Sequence, residues 1–100
     1  MATMCLLHGN RHDGSCWAPL ARELARLGHR VVTPDLPLDD PGARYVERAR
    51  PAIEALASAE PPVAVVGHSL AAGIAPTVAA GTCATTAIYL CPRAHRPVRW

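Results

Sequence analysis

A short apolar run that leads through a glycine-x-serine turn into an alanine-rich stretch constrains the fold most strongly. Residues 63–66 are small or β-branched and predict a buried strand, and the stretch that begins at Leu70 predicts a helix. Ser69 lies at the junction. A sharp turn between a strand and a helix requires small residues two positions before and after such a serine, and Gly67 and Ala71 satisfy that requirement. The pattern therefore predicts a Ser69 hydroxyl that stands clear of the sheet edge.

This layout is that of a nucleophile elbow, in which the serine attacks a carbonyl carbon. The start of the following helix is then expected to offer free N–H groups and positive potential to an oxyanion. The alternative is an ordinary strand–helix turn in which Ser69 merely caps the helix, because a bare Gly-x-Ser arises often by chance. The strand pattern on one side and the helix pattern on the other favour the nucleophile.

Strand and helix patterns alternate along the chain. The predicted strands are residues 4–7, 30–33, 63–66 and 85–90, and the predicted helices are residues 17–27, 45–56 and 70–80. Such alternation is typical of an α/β fold in which a parallel sheet of about four strands has helices on both faces, forming a three-layer sandwich. We expect Pro51 to kink or split the second helix.

Composition and charge exclude several classes of protein. Hydrophobic residues make up 50% of the chain and charged residues 18%, which argues against disorder. The net charge of +2 is too small for a nucleic-acid-binding surface, and no apolar run approaches the ~20 residues that cross a membrane. The cysteines form no Cys-x-x-Cys pair, and the N-terminus lacks the pattern of a signal peptide. We therefore expect a cytoplasmic protein without a metal, a cofactor, a nucleic-acid partner or a membrane partner.

Beyond the elbow, three further stretches make the chain resemble the α/β-hydrolase superfamily. The run His8-Gly9-Asn10-Arg11-His12, followed by Cys16-Trp17, is similar to the opening of the methylesterase and hydroxynitrile-lyase-like branch. Residues 28–36 are similar to the superfamily's second stretch, and residues 89–91 are similar to the strand after the elbow helix. The resemblance implies that residues 1–100 form a partial α/β-hydrolase domain, the N-terminal half through the strand after the elbow. It also implies a sheet whose strands lie in the order second, first, third, fourth.

The resemblance assigns roles to individual residues. Ser69 is expected to act as the nucleophile, and the backbone N–H groups of Asn10 and Leu70 are expected to form the oxyanion hole. The family's triad continues with an acid and then a histidine, but no Asp or Glu follows Ser69 in this sequence. The only later histidine is His95, which is therefore a candidate base without an acidic partner.

Other polar residues near these motifs have less specific patterns. We expect His8 to anchor the turn after the first strand, and Asp35 to fix the turn after the second strand rather than act as the triad acid. His12 and His68 are candidates for lining the pocket, and a solvated loop is the alternative for His12.

Three functions follow from these observations. The first is a serine hydrolase acting on small carboxylic esters, with Ser69 as nucleophile and with very low activity for this chain alone. The second is a truncated or degenerate hydrolase that is inactive and serves as a binding or assembly module, because an exposed, apolar last strand favours self-association. The third, which has the least support, is a hydroxynitrile-lyase-like enzyme.

Overall fold

The computed structural model describes residues 1–91, in which strands and helices alternate along the chain. The strands are β1 (Thr3–Leu7), β2 (Arg30–Val32), β3 (Val63–His68) and β4 (Thr86–Leu90). The α-helices are α1 (Ala18–Arg26), α2 (Tyr45–Ala55) and α3 (Ala75–Ala80). Two 3₁₀ turns, Gly14–Trp17 and Ser69–Gly73, precede α1 and α3. None of the helices in this part of the chain combines the length and the apolarity that a membrane crossing needs.

The four strands form one parallel sheet in the order β2-β1-β3-β4, which is the predicted order. β1 and β3 lie in the centre, and their register pairs Leu7 with Gly67 at the carboxyl ends. The chain leaves β1 toward one edge of the sheet and leaves β3 toward the other edge. The loops that follow these two strands therefore diverge and leave a crevice between them, which is where sheets of this topology bind ligands.

Helices cover both faces of the sheet, as the sequence predicts. α2 and α3 pack on the face that carries the side chains of Cys5 and Val65. α1 and the 3₁₀ turn before it pack on the opposite face, where Leu6 and Val66 contact Trp17. Neighbouring residues of one strand thus point into different cores, which explains why the two central strands are apolar without interruption. The described chain has the three layers of an α/β fold.

α2 is one continuous helix, so Pro51 does not split it, and the alternative expectation of a kink stays a prediction. A proline in a helix interior removes one backbone hydrogen bond and crowds the preceding turn. The face of α2 that carries Ala49 and Ala52 is completely buried against the sheet. Packing of that face stabilises the helix in spite of the proline.

The predicted third helix, residues 70–80, is present as two pieces. Ser69–Gly73 forms a 3₁₀ turn, and α3 follows it after Ile74. The reason is Pro76, which lacks the N–H that a continuous α-helix would bond to the carbonyl of Ala72. Pro76 therefore lies in the first turn of α3, where no partner is needed. The helical segment that begins at Ser69 is therefore a 3₁₀ turn rather than an α-helix, and the contribution of its free N–H groups to an oxyanion site stays a prediction.

Candidate active site

The loops after β1 and β3 lie side by side at the carboxyl end of the sheet. A Cβ atom placed on Gly9 would be 3.4 Å from Cβ of Ser69 and 3.2 Å from Nδ1 of His68. Gly9 is itself buried. An added Cβ would crowd the His68 ring slightly and would make ordinary van der Waals contact with Ser69, so glycine relieves crowding against His68. The fold thereby brings the loop that contains Asn10 next to Ser69.

Ser69 has the backbone conformation that a sharp strand-to-helix turn requires. Its φ angle is 56°, in the left-handed region that residues other than glycine seldom adopt. A Cβ atom on Gly67 would lie 2.9 Å from the carbonyl oxygen of Ala71 and 2.9 Å from Cα of Ala72. Ala71 is completely buried. The chain after Ser69 folds back so tightly that both of these positions require small residues.

Two backbone N–H groups beside Ser69 donate no hydrogen bond within residues 1–91. They belong to Asn10 and Leu70, the two predicted oxyanion donors. Asn10 lies in a tight turn that is closed by a hydrogen bond of 3.2 Å from the His12 N–H to the Gly9 carbonyl. Donors that the fold holds in place need no reordering when negative charge develops on a substrate. That these two groups bind an oxyanion stays a prediction.

His8 is a buried structural residue that anchors the loop after β1. Its Nε2 accepts a hydrogen bond of 2.8 Å from the Leu36 N–H. Because Nε2 is an acceptor, Nδ1 carries the proton and donates it to the Gly9 carbonyl at 2.8 Å. His8 thus ties the loop after β1 to the segment after β2. Both ring nitrogens are engaged, so His8 is not available as the base.

Asp35 makes a second connection between the loop after β1 and the segment after β2. Its Oδ1 accepts a hydrogen bond of 2.7 Å from the Gly14 N–H. A Cβ atom on Gly14 would overlap the carbonyl oxygen of Thr33, so only glycine fits at this position. Asp35 therefore fixes the backbone after β2 against the start of the 3₁₀ turn that precedes α1.

Asp13 stabilises the far end of the loop that follows β1. It caps the 3₁₀ turn Gly14–Trp17 by accepting a 2.8 Å hydrogen bond from the Ser15 N–H and a short one from the Ser15 hydroxyl. The bond from the hydroxyl and then the bond from the backbone hold the pKa of the Asp13 carboxyl below its usual value. Asp13 is accordingly an ionised group whose hydrogen bonds stabilise the loop in which it lies.

An open pocket of about 520 Å³ lies beside Ser69. The residues that line it are Gly9, Asn10, Arg11, His12, His68 and Ser69. His12 and His68, the two candidates for lining, therefore lie on the pocket wall. The His68 ring packs edge-on against Trp17, with ring centroids 6.0 Å apart. A buried side chain behind the wall thus supports the residue that precedes the serine.

Two features of this pocket have no distinct signal in the sequence. Arg11 lines the pocket, yet in the sequence it is one polar residue of a loop. Its φ angle of 64° places it in the left-handed region, like Ser69. Trp17 fits the apolar pattern of the predicted first helix and looks like an ordinary core residue in the sequence. Its contact with His68 could not be predicted, because it depends on how β1 and β3 are paired.

The predicted base lies outside the described residues, since His95 belongs to the part of the chain beyond residue 91. Cys5 is no alternative nucleophile, because burial raises the pKa of its thiol to about 12 and keeps it protonated inside the sheet. Within the described range, no three His, Cys, Asp or Glu side chains lie close enough together to hold a metal ion. Ser69 is therefore the candidate nucleophile of the described pocket.

The sequence model of the alpha/beta hydrolase family matches residues 6–100. The chain belongs to the alpha/beta hydrolase family. The match includes the loop after β1, the elbow and all of β2, β3 and β4, so the resemblance seen in the sequence motifs is confirmed. Among curated proteins, no sequence match reaches significance.

Solved structures of hydrolases and an esterase have the same fold as this alpha/beta hydrolase chain. The pyrethroid hydrolase from Sphingobium faniae JZ-2 is 27% identical with a TM-score of 0.79, and the match covers 92% of this chain and 40% of that one. An extracellular alpha/beta-hydrolase from a Paenibacillus species is 19% identical with a TM-score of 0.78, and the match covers 96% of this chain and 43% of that one. Polyneuridine aldehyde esterase is 22% identical with a TM-score of 0.73, and the match covers 92% of this chain and 40% of that one. The chain thus spans about 40% of the length of the solved structures it matches.

Proposed function

We propose that this alpha/beta hydrolase chain carries the nucleophile and the oxyanion hole of a serine hydrolase that acts on small carboxylic esters. Ser69 is the nucleophile, and the backbone N–H groups of Asn10 and Leu70 are the oxyanion donors. The observation that carries the proposal is the left-handed turn of Ser69 at the end of β3, on the wall of a pocket that it shares with Asn10.

The relatives and the size of the pocket support this chemistry. The structure from Sphingobium faniae JZ-2, at 27% identity, is that of a pyrethroid hydrolase. The pocket volume of about 520 Å³ falls within the range of ~300–1,000 Å³ that is usual for small-molecule sites. A small ester is therefore the substrate class that we propose.

In the proposed reaction, Ser69 Oγ attacks the carbonyl carbon of the ester while its proton passes to a base. The carbonyl oxygen becomes an oxyanion that accepts hydrogen bonds from the N–H groups of Asn10 and Leu70. Collapse of the tetrahedral intermediate breaks the bond to the alcohol, which takes up the proton from the base. Water then hydrolyses the acyl-serine, and the acid leaves.

The base is the part of this reaction that the described residues do not supply. No hydrogen bond links Ser69 to a histidine within residues 1–91. Loss of the triad leaves ~10³–10⁴-fold catalysis over water in enzymes of this type. We therefore propose very low activity for residues 1–100 alone, with His95 as a candidate base.

Phosphonylation of Ser69 tests the proposal. A fluorophosphonate reacts with an activated serine, and mass spectrometry identifies the modified residue. We expect slow modification of Ser69 and a several-fold faster reaction when imidazole is added, because imidazole can act as the missing base. Ser69→Ala should abolish the labelling. Ser58→Ala, which changes an exposed serine outside the pocket, should leave it intact.

Modification of another serine, or no modification of Ser69 even with imidazole, would refute the proposal. The same assay decides the role of His95. If the rate measured without imidazole falls in His95→Ala, His95 is the base, and an unchanged rate excludes it.

The exposed edge of the sheet favours a second candidate function, which is assembly with another copy of the chain. Within residues 1–91, β4 pairs with β3 alone. Ile88, Tyr89 and Leu90 keep 39%, 46% and 39% of their surface exposed, and the strand carries no charge that would oppose pairing. Antiparallel pairing of two β4 strands about Ile88 would join two sheets around a two-fold axis.

Self-association through β4 is measurable by analytical ultracentrifugation. We expect a concentration-dependent dimer for the parent chain and a monomer for Ile88→Lys, because lysine on an edge strand opposes pairing. Val46→Lys, at an exposed position of α2, should leave the dimer unchanged. A parent chain that stays monomeric at all concentrations, or a dimer that survives Ile88→Lys, would exclude this second function.

A further inference from the structure

We propose that the pocket beside Ser69 selects esters that carry a free carboxylate, and that Arg11 recognises this group. The inference rests on the proposed ester hydrolysis, because it names the substrate class of the same pocket. It is carried by the charges on the pocket wall.

Arg11 is the permanently charged side chain of the pocket wall. It lines the same pocket as Ser69, and it is exposed to a ligand there. Within residues 1–91 it makes neither a hydrogen bond nor an ion pair, in contrast to Arg26, which is paired with Glu23 at 2.9 Å. An unpaired guanidinium keeps all five N–H donors for a ligand, and its planar fork matches the two oxygens of a carboxylate.

No acidic side chain on the wall opposes an anionic ligand. The lining residues include neither aspartate nor glutamate. The acid that follows in the loop, Asp13, accepts two hydrogen bonds from Ser15 and does not line the pocket. The other ionisable side chains on the wall are His12 and His68, which add no negative charge. The wall therefore has a net positive charge that attracts a carboxylate and repels a cation.

The turn after β1 places Arg11 directly beside the proposed oxyanion donor. Asn10 and Arg11 are the two central residues of the turn that the hydrogen bond from the His12 N–H to the Gly9 carbonyl closes. A substrate whose ester carbonyl contacts the Asn10 N–H is therefore bound next to the residue that carries the guanidinium. A carboxylate a few bonds from that carbonyl can contact Arg11 at the same time. Monoesters of short dicarboxylic acids have this arrangement.

Binding, measured separately from turnover, tests the inference. The probes are monomethyl glutarate and dimethyl glutarate, which share one carbon skeleton and differ by one negative charge. Each is titrated into ¹⁵N-labelled protein with the Ser69→Ala change, so that no ester is consumed. We expect the monoanion to bind about three- to tenfold more tightly than the diester at low salt, as a charge-assisted contact near a surface does. The preference should shrink as salt is added.

The preference is assigned to Arg11 by two matched variants. Arg11→Gln should abolish it, whereas Arg22→Gln, at an exposed arginine of α1 outside the pocket, should retain it. Equal binding of the two esters, binding of neither, or a preference that survives Arg11→Gln would overturn the inference.

These outcomes are independent of those for the proposed function. Phosphonylation of Ser69 without any charge preference would reject the role of Arg11 alone. A charge preference without phosphonylation would reject the hydrolase proposal and leave Arg11 as a carboxylate-binding residue of the pocket.

Discussion

At the scale of single residues, two glycines relieve crowding at the site. Gly67 lets the chain fold back after Ser69, and Gly9 leaves room for the His68 ring beside the loop after β1. The role of Gly67 could be predicted from sequence, because the turn itself demands a small residue two positions before the serine. The close approach at Gly9 could not be predicted, because its neighbours His68 and Ser69 belong to the end of β3 and to the turn that follows it.

Gly67→Ala should destabilise the fold. The added Cβ would meet two backbone atoms at 2.9 Å, the carbonyl oxygen of Ala71 and Cα of Ala72, and neither can rotate away. We expect the free energy of unfolding in urea to fall by about 1–3 kcal/mol. Gly42→Ala is the control, since its Cβ would meet only the Asp40 carboxylate at 3.4 Å. If Gly67→Ala and Gly42→Ala were equally stable, the turn would have more room than the structure shows.

At the scale of elements, hydrophobic periodicity predicted the four strands and the positions of the helices. It worked for β1 and β3, which are buried on both faces, and for α2, which buries one face. No residue of α1 is buried, and its Leu24 packs only partly against the sheet. Periodicity could not show that Ser69–Gly73 is a 3₁₀ turn, because 3₁₀ and α-helices have similar apolar spacing over one turn. Nor could it show that α2 continues through Pro51, since this depends on packing against the sheet.

Pro51→Ala should stabilise the chain, because alanine restores an N–H in the interior of α2. A proline inside a helix costs up to about 3 kcal/mol relative to alanine, and we expect a gain of about 1–3 kcal/mol in the free energy of unfolding. Pro19→Ala is the matched control, because Pro19 lies in the first turn of α1, where a proline is tolerated. Thermal and urea unfolding measure both variants. An equal gain from both would show that the position within the helix does not matter.

At the scale of the whole molecule, the strand order places the two site loops together. Because β1 and β3 are neighbours, residues that lie about sixty positions apart in sequence meet at one crevice. The strand order, the family and the positions of Asn10 and Ser69 could be predicted from motifs. The charge on the pocket wall could not, since Arg11 occupies a position of the His8–His12 run whose residue type the motif does not specify, and it acquires its place from the turn that closes at His12.

The decisive measurement is a crystal structure of the chain after Ser69 has reacted with a phosphonate. The phosphonyl oxygen imitates the oxyanion of ester hydrolysis. We predict that it lies about 2.7–3.1 Å from the backbone nitrogens of both Asn10 and Leu70. A phosphonyl oxygen that faces solvent, or that contacts neither nitrogen, would contradict the assignment of this crevice as an oxyanion hole.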